Sequence, residues 1–283
     1  MPSVGSRVSL RYRLPEAGPE SQAFTDVVGH LEALTPVVVV RTQTTACGEG
    51  EAYLPTTVAS VLGRSDVVLR GPNGVTIDAP TAADLAGKGD GWYLDLPGNP
   101  LSPGCDYEQW FDQGPRSPSV YGRVTTDPDH PGKTVLQYWF WWVYNDWNDK
   151  HEGDWEMIQV VIPADSVAAA LQTTPESIAF AQHEGSEVAA WTDPKVHKDG
   201  DHVAVYPGQG SHAAYYTQAQ WFGKSAAAGF GCDTTTAPGT LVHPAVVVLP
   251  EQATGDFAWL DYTGRWGQKA PSFNNGPTGP QTK

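Results

Sequence analysis

The stretch Gln137–Ile162, "QYWFWWVYNDWNDKHEGDWEMIQVVI", governs how the rest of this chain is read. An aromatic-rich run, Gln137 to Tyr144, enters a knot of acidic and amide residues, and an apolar pattern then resumes at Met157. Its length and its β-branched and aromatic residues predict a strand buried on both faces, followed by a turn and a second strand. Alternation along that second strand places Asp154, Glu156, Ile158 and Val160 on one face and Trp155, Met157, Gln159 and Val161 on the other. Two carboxylates then share the face that becomes core. At roughly 7 Å apart by backbone rise, they are near enough to converge on one ion or one ligand. A buried carboxylate needs a cation, a proton or a strong donor beside it.

Around this hairpin the chain reads as many short strands separated by turns. "SVYGRVTT" (119–126), "SIAFAQHEG", "EVAAW", "HVAVYP" and "PAVVVLP" are strands, and the "PNG" at 72–74 is a hairpin turn between two apolar runs. "DSVAAALQ" (165–172) is the one short helix expected, capped by Asp165 or Ser166. This pattern predicts a mainly β fold: a β-sandwich or jelly-roll-like set of antiparallel sheets with few short helices. Residues 1–42 form an N-terminal strand-rich segment, either a small β-barrel or part of the sandwich, and residues 43–283 form the β-sandwich domain.

The composition narrows the function classes. With 11 Trp, 11 Tyr, 30 Gly and 24 Pro, the chain suits turn-rich sheets and also aromatic-lined clefts. The 32 acidic against 17 basic residues leave a net charge of −15, which repels phosphate backbones and argues against nucleic acid as a partner. Cys47, Cys105 and Cys232 are an odd number without metal-type spacing, consistent with one bridge and one thiol. Residues 1–30 lack an apolar core of signal-peptide length, and no stretch is long enough to span a bilayer. The chain is therefore expected to be soluble and cytoplasmic, or secreted if its start is not native.

The acidic knot is the first candidate site. Asp154 and Glu156 are expected to hold a divalent cation, with Asp146 as an outer ligand. The oxygen-rich donors favour Mg, Ca or Mn, and a His beside two carboxylates also accepts Zn. His151 and His212 are the expected acid and base or further ligands, and Asn145, Trp147, His183, Ser211 and Tyr144 the expected substrate contacts. Asp149 and Glu152 are read as solvated loop residues, and His183 as lying on a strand. "YPGQGSHAAYY" (206–216) places Ser211 and His212 at a strand end. A serine nucleophile is disfavoured there because the strand–Ser–helix elbow is missing.

The blocks "YNDWNDKHEGDWEMIQVVI", "HVAVYPGQGSHAAYY", "GRWGQKAPSFNNGPTGP" and "CGEGEAYLPTTVASVLGRSDVVLRGPNG" resemble the family named for vacuolar protein sorting-associated protein 62, over roughly residues 36–283. A more distant likeness joins "KHEGDWE" to the Gly-His-Arg-His-Asp-Trp-Glu heptapeptide of the necrosis- and ethylene-inducing-like toxins. That likeness implies a β-sandwich in which Asp154 and Glu156 surround a divalent cation used to bind sphingolipid sugar headgroups. Gly153 stands where those toxins have a His. Residues 3–42 resemble the small β-barrel that precedes the catalytic domain of some acetyltransferases, but no Gly-rich pyrophosphate loop follows.

Two functions follow from these expectations. The first is a metal-dependent hydrolase acting on an ester, phosphate or glycosidic bond, or diphosphate chemistry against aromatic faces in the same pocket. The alternative is a metal-dependent, cytolysin-like binder of a small molecule, glycan or lipid headgroup that performs no catalysis. A role in membrane trafficking rests on the first family's name alone.

Overall fold

The computed structural model describes residues 36–41, 43–45, 48–51, 54–114, 117–126, 130–183, 185–225, 229–236, 239–268, 270 and 275–280. It is mainly β, with antiparallel sheets and a few short helices. The largest sheet has six strands, in the order Gly185–Ala190, Ser177–Gln182, His151–Ile162, Thr134–Asn145, Ser119–Thr126 and Ala245–Val248. Every pairing is antiparallel except the last, where Ala245–Val248 runs parallel to Ser119–Thr126. A second sheet takes Lys198–Asp199, His202–Pro207, Val37–Arg41 and Gly239–Val242, with Ala214–Tyr215 added beside His202–Pro207. Both sheets contribute to one hydrophobic core, in which Val38, Val203 and Val205 join Phe140, Ile158 and Phe180.

The aromatic strand Thr134–Asn145 is central, and all twelve of its residues are buried. This agrees with the two-sided burial expected of an uninterrupted apolar run. One of its faces packs into a layer of aromatic rings. Trp155 lies 5.3 Å from Trp266, 5.8 Å from Trp259 and 6.1 Å from Trp141 between ring centroids, and Tyr121 and Tyr262 extend the cluster. Trp141, Trp155 and Trp266 are fully buried. These rings therefore serve as core on this face and do not line an open aromatic cleft.

The "PNG" turn joins Val68–Arg70 to Thr76–Asp78 as expected, with Asn73 and Gly74 at φ 58° and 77°. The helix near residue 167 is capped by Ser166, whose hydroxyl accepts from the Ala169 amide. A helix not expected from the sequence, Asp106–Asp112, buries Tyr107, Trp110 and Phe111. Their i, i+3, i+4 spacing is the helical signal that was available. Cys105, immediately before it, is disulfide-bonded, and Cys232 is an exposed free thiol. Most of the 1–42 segment lies outside the described residues, but Val37–Arg41 pairs within the second sheet. Among the described residues no helix is long and apolar enough to cross a membrane.

Candidate functional site

The hairpin connection is shorter than the sequence suggested. Asn145 pairs with His151 in the ladder, so only residues 146–150 form the loop. Gly153 then breaks the alternation of the second strand. It sits at φ 62°, where a Cβ would overlap the carbonyl oxygen of Trp266. Only glycine combines that left-handed backbone with such a close approach. On one side of the break Glu152 accepts from the Gln268 amide, while Trp155 packs on the neighbouring Trp266. On the other side His151 and Asp154 both bear on Asp149. The glycine thus brings an i, i+3 pair, His151 and Asp154, to one face, where simple alternation would have separated them.

That face carries two similar constructions. In the first, Asp154 Oδ2 accepts from His212 Nδ1 at 3.0 Å, and the imidazole lies flat on Trp142, with centroids 4.3 Å apart and planes 6° from parallel. In the second, Asp233 Oδ2 accepts from His183 Nε2 at 2.7 Å, and that imidazole stacks on Trp147 at 4.8 Å. Both histidines hold positive φ, 54° for His212 and 50° for His183. A non-glycine residue in this region costs roughly 1–2 kcal/mol, so each Asp–His–Trp contact holds its histidine in a strained backbone. Asp154, Glu156, His212 and Asp233 are buried, whereas Trp147 and His183 are only half-buried at the rim.

Asp233 is heavily bonded. Its Oδ1 accepts from Ser211 Oγ at 2.5 Å, and its Oδ2 also accepts from the Tyr215 hydroxyl at 2.5 Å. Burial pushes this carboxyl up, but the His183 bond and charge, with the two hydroxyl donors, outweigh it and hold it below the usual range. Burial pulls His183 down, yet the hydrogen bond and charge of Asp233, with Glu156 and Asp149, push it up to about 9. Burial raises Asp149, with Asp154 adding to the rise and His151 and His183 opposing it.

Glu152, expected in a solvated loop, is fully buried on the opposite face. Its carboxylate accepts from Tyr107 Oη at 2.7 Å, the Gln268 amide at 2.8 Å and the Leu96 amide at 3.2 Å. Burial pushes it up to about 7 against those donors, with Asp95 adding to the rise. Asp149, also expected to be solvated, is half-buried, and its backbone carbonyl accepts from Asn145 Nδ2 at 2.8 Å.

The structure brings most of the expected residues together. Asp154, Glu156, His151, His212, His183, Ser211, Asn145 and Trp147 lie around one polar face. His183 comes from the turn after Ser177–Gln182 rather than from the strand itself, because its backbone turns left-handed there. Tyr144 is elsewhere: it stacks on Tyr107 at 4.2 Å and donates to the Pro100 carbonyl at 2.9 Å, on the Glu152 side. Asp146 points to Lys150, 2.8 Å away at the partly exposed loop. Ser211 gives its hydrogen to a carboxylate and not to an imidazole, so it is not arranged as a nucleophile beside a base. His151 Nδ1 donates to the Gly153 carbonyl at 2.8 Å.

Among the described residues, no group of three or more His, Cys, Asp and Glu side chains converges to hold a metal ion. Asp154 is turned to His212 and Asp146 to Lys150. Sequence reasoning missed Asp233, Tyr215 and Trp142. Asp233 is set in "GFGCDTTT" without a recognisable pattern, whereas Tyr215 and Trp142 stood out only as aromatic residues of strand-like runs.

Residues 2–48 match the family model described as the Rv0428c N-terminal Sm-like domain. No curated protein matches the chain. Solved structures similar to it are NLP toxin-fold proteins. One, described as a toxin fold as basis for microbial attack and plant defense, is 14% identical with a TM-score of 0.39, covering 89% of this chain and 84% of that one. The non-toxic HaNLP3 protein is 15% identical with a TM-score of 0.38, covering 84% and 79%. NLPPya in complex with glucosamine is 17% identical with a TM-score of 0.31, and the match spans about half of each protein, 51% of this chain and 55% of that one. Overlap of this size says nothing about chemistry.

Proposed function

We propose that this chain is a binding protein for a glycan or a polar lipid headgroup and performs no catalysis. The observation that carries the reading is the pair of Asp–His–Trp stacks beside the buried carboxylates Asp154 and Glu156. The half-buried indole and imidazole of Trp147 and His183, beside fixed carboxylates, suit a ring-shaped, hydroxyl-bearing ligand that packs at this rim and donates to the oxygens. The hydrolase expectation draws less support. Ser211 gives its hydrogen to Asp233 and not to an imidazole, so no activated nucleophile is formed there.

Asp154 and Glu156 are the carboxylates a divalent cation would meet, but among the described residues no third donor converges with them, so no part of this reading runs through a metal. Kinship with the family named for vacuolar protein sorting-associated protein 62 belongs to the same proposal and rests on the Lys150–Glu156 motif. Calorimetry with glucosamine, mannosamine and methyl glucoside tests the reading. Saturable binding that weakens in Glu156→Gln is expected. The reading is overturned if none of these sugars binds and no sphingolipid-headgroup glycan on an array binds either.

A further inference from the structure

The two stacks differ in one respect. Trp142 and His212 are buried, whereas Trp147 and His183 stand half-buried at the rim, where an incoming ligand arrives first. Trp147 comes from the five-residue loop 146–150, yet it is fixed on several sides. Its indole Nε1 donates to the Cys232 carbonyl at 3.2 Å, and its ring lies so close to Gly231 that a Cβ there would overlap it. His183 covers it at 4.8 Å. Cys232 and Gly231 belong to the strand Gly229–Thr234, which among the described residues pairs only with Gln220–Ser225, in a two-stranded sheet of its own. Asp233, between these contacts and fully buried, ties that hairpin to Ser211, Tyr215 and His183.

Resting on the binding reading above, we propose that Asp233 is the positioning residue of the site: through His183 and the Gly231–Cys232 backbone it sets Trp147 as the ring-binding wall. Asp233 has no exposed surface and touches no ligand itself. Its side-chain donors Ser211, Tyr215 and His183 come from two separate segments, which a merely local cap would not require. The left-handed backbone of His183 has the same origin, because that conformation aims its Nε2 at the buried carboxylate.

The test uses the full chain and three variants, Asp233→Asn, His183→Gln and Trp147→Phe. His183→Gln leaves the Ser211 and Tyr215 bonds to Asp233 in place, so it probes the wall even if Asp233→Asn folds poorly. Glucosamine and methyl glucoside binding is measured by calorimetry. In parallel, the emission of Trp147 is isolated as the difference between wild type and Trp147→Phe and followed against pH. A stacked imidazolium quenches indole emission, so this difference is expected to rise as pH passes about 9, and at lower pH in Asp233→Asn. Binding of the probes is expected to weaken at least about tenfold in Asp233→Asn and His183→Gln, a step of about 1.4 kcal/mol.

Affinity within about twofold of wild type in His183→Gln overturns the inference, as does a Trp147 emission profile unchanged by Asp233→Asn. If wild type binds neither probe, the binding reading fails instead, and the emission profile alone decides whether Asp233 sets Trp147.

Discussion

Replacing Glu152 by Gln should remove a destabilisation that grows as the pH rises. In the folded protein this carboxyl holds its proton up to about 7, against an ordinary value of 4.5. The folded state therefore binds the proton more tightly than the unfolded chain. The associated stability is fully present below about pH 4.5 and is lost as pH rises through about 7. The size of the effect is about 3 kcal/mol, at about 1.4 kcal/mol for each tenfold change in proton affinity. The local geometry accommodates the neutral form. Oε2 accepts from the Leu96 and Gln268 amides, while Oε1 faces the Tyr107 hydroxyl, which can turn from donor to acceptor. Glutamine fits the same way, with its amide nitrogen towards Tyr107. Asp95, Tyr107 and Tyr144 are the other titratable groups near this carboxyl, and none of them changes in the variant. Urea denaturation of wild type and Glu152→Gln between about pH 5 and pH 8.5 reads the difference directly. The variant should gain on wild type by up to about 3 kcal/mol across that range. A difference independent of pH would refute the reasoning, because it would mean that Glu152 does not titrate in the folded protein over this window.

Gly153→Ala should destabilise by roughly 3 kcal/mol or more, combining the left-handed backbone with displacement of Trp266, as read by chemical denaturation; a loss below about 1 kcal/mol would show that the strand relaxes around the methyl group. Trp155→Ala should cost about 3–5 kcal/mol, measured in the same way, because its fully buried ring touches Trp141, Trp259 and Trp266. The His183–Asp233 pair stabilises the fold fully below the ordinary imidazole value of 6.5, and this contribution fades as pH rises through about 9; His183→Gln should abolish that alkaline loss in denaturation curves taken between about pH 6 and pH 10. Probe binding should be unchanged after EDTA treatment, and a calorimetric titration in which EDTA removes binding would restore a metal to the site.

Much of this architecture is visible in the one-dimensional pattern. The apolar run at 137–144 can satisfy its side chains only with both faces covered, so its central, buried place in a sheet follows from hydrophobicity and strand period. The expectation that Asp154 and Glu156 share one face rests on the same period. Turn chemistry is local too, which is why Pro72–Gly74 could be read as a hairpin turn. What alternation could not supply was the break at Gly153. Its left-handed backbone answers to the carbonyl of Trp266, which is remote in sequence, and it decides that Glu152 is sealed on one side while His151 joins Asp154 on the other.

The same division holds for the candidate site. Residue type and clustering single out His151, Asp154, Glu156 and His212 as candidates, because carboxylates inside an apolar pattern are costly unless they are compensated. The identity of the compensating groups was a tertiary matter. His212 meets Asp154 across 58 residues and His183 meets Asp233 across 50, and no local spacing encodes either encounter. Strands, their buried faces and the presence of charged groups among them are properties of residue order, since strand period and hydrophobicity act over a few neighbours. Which histidine neutralises which carboxylate is a property of the folded chain, since a hydrogen bond depends on distance in space, and that distance is set by every contact between the two partners.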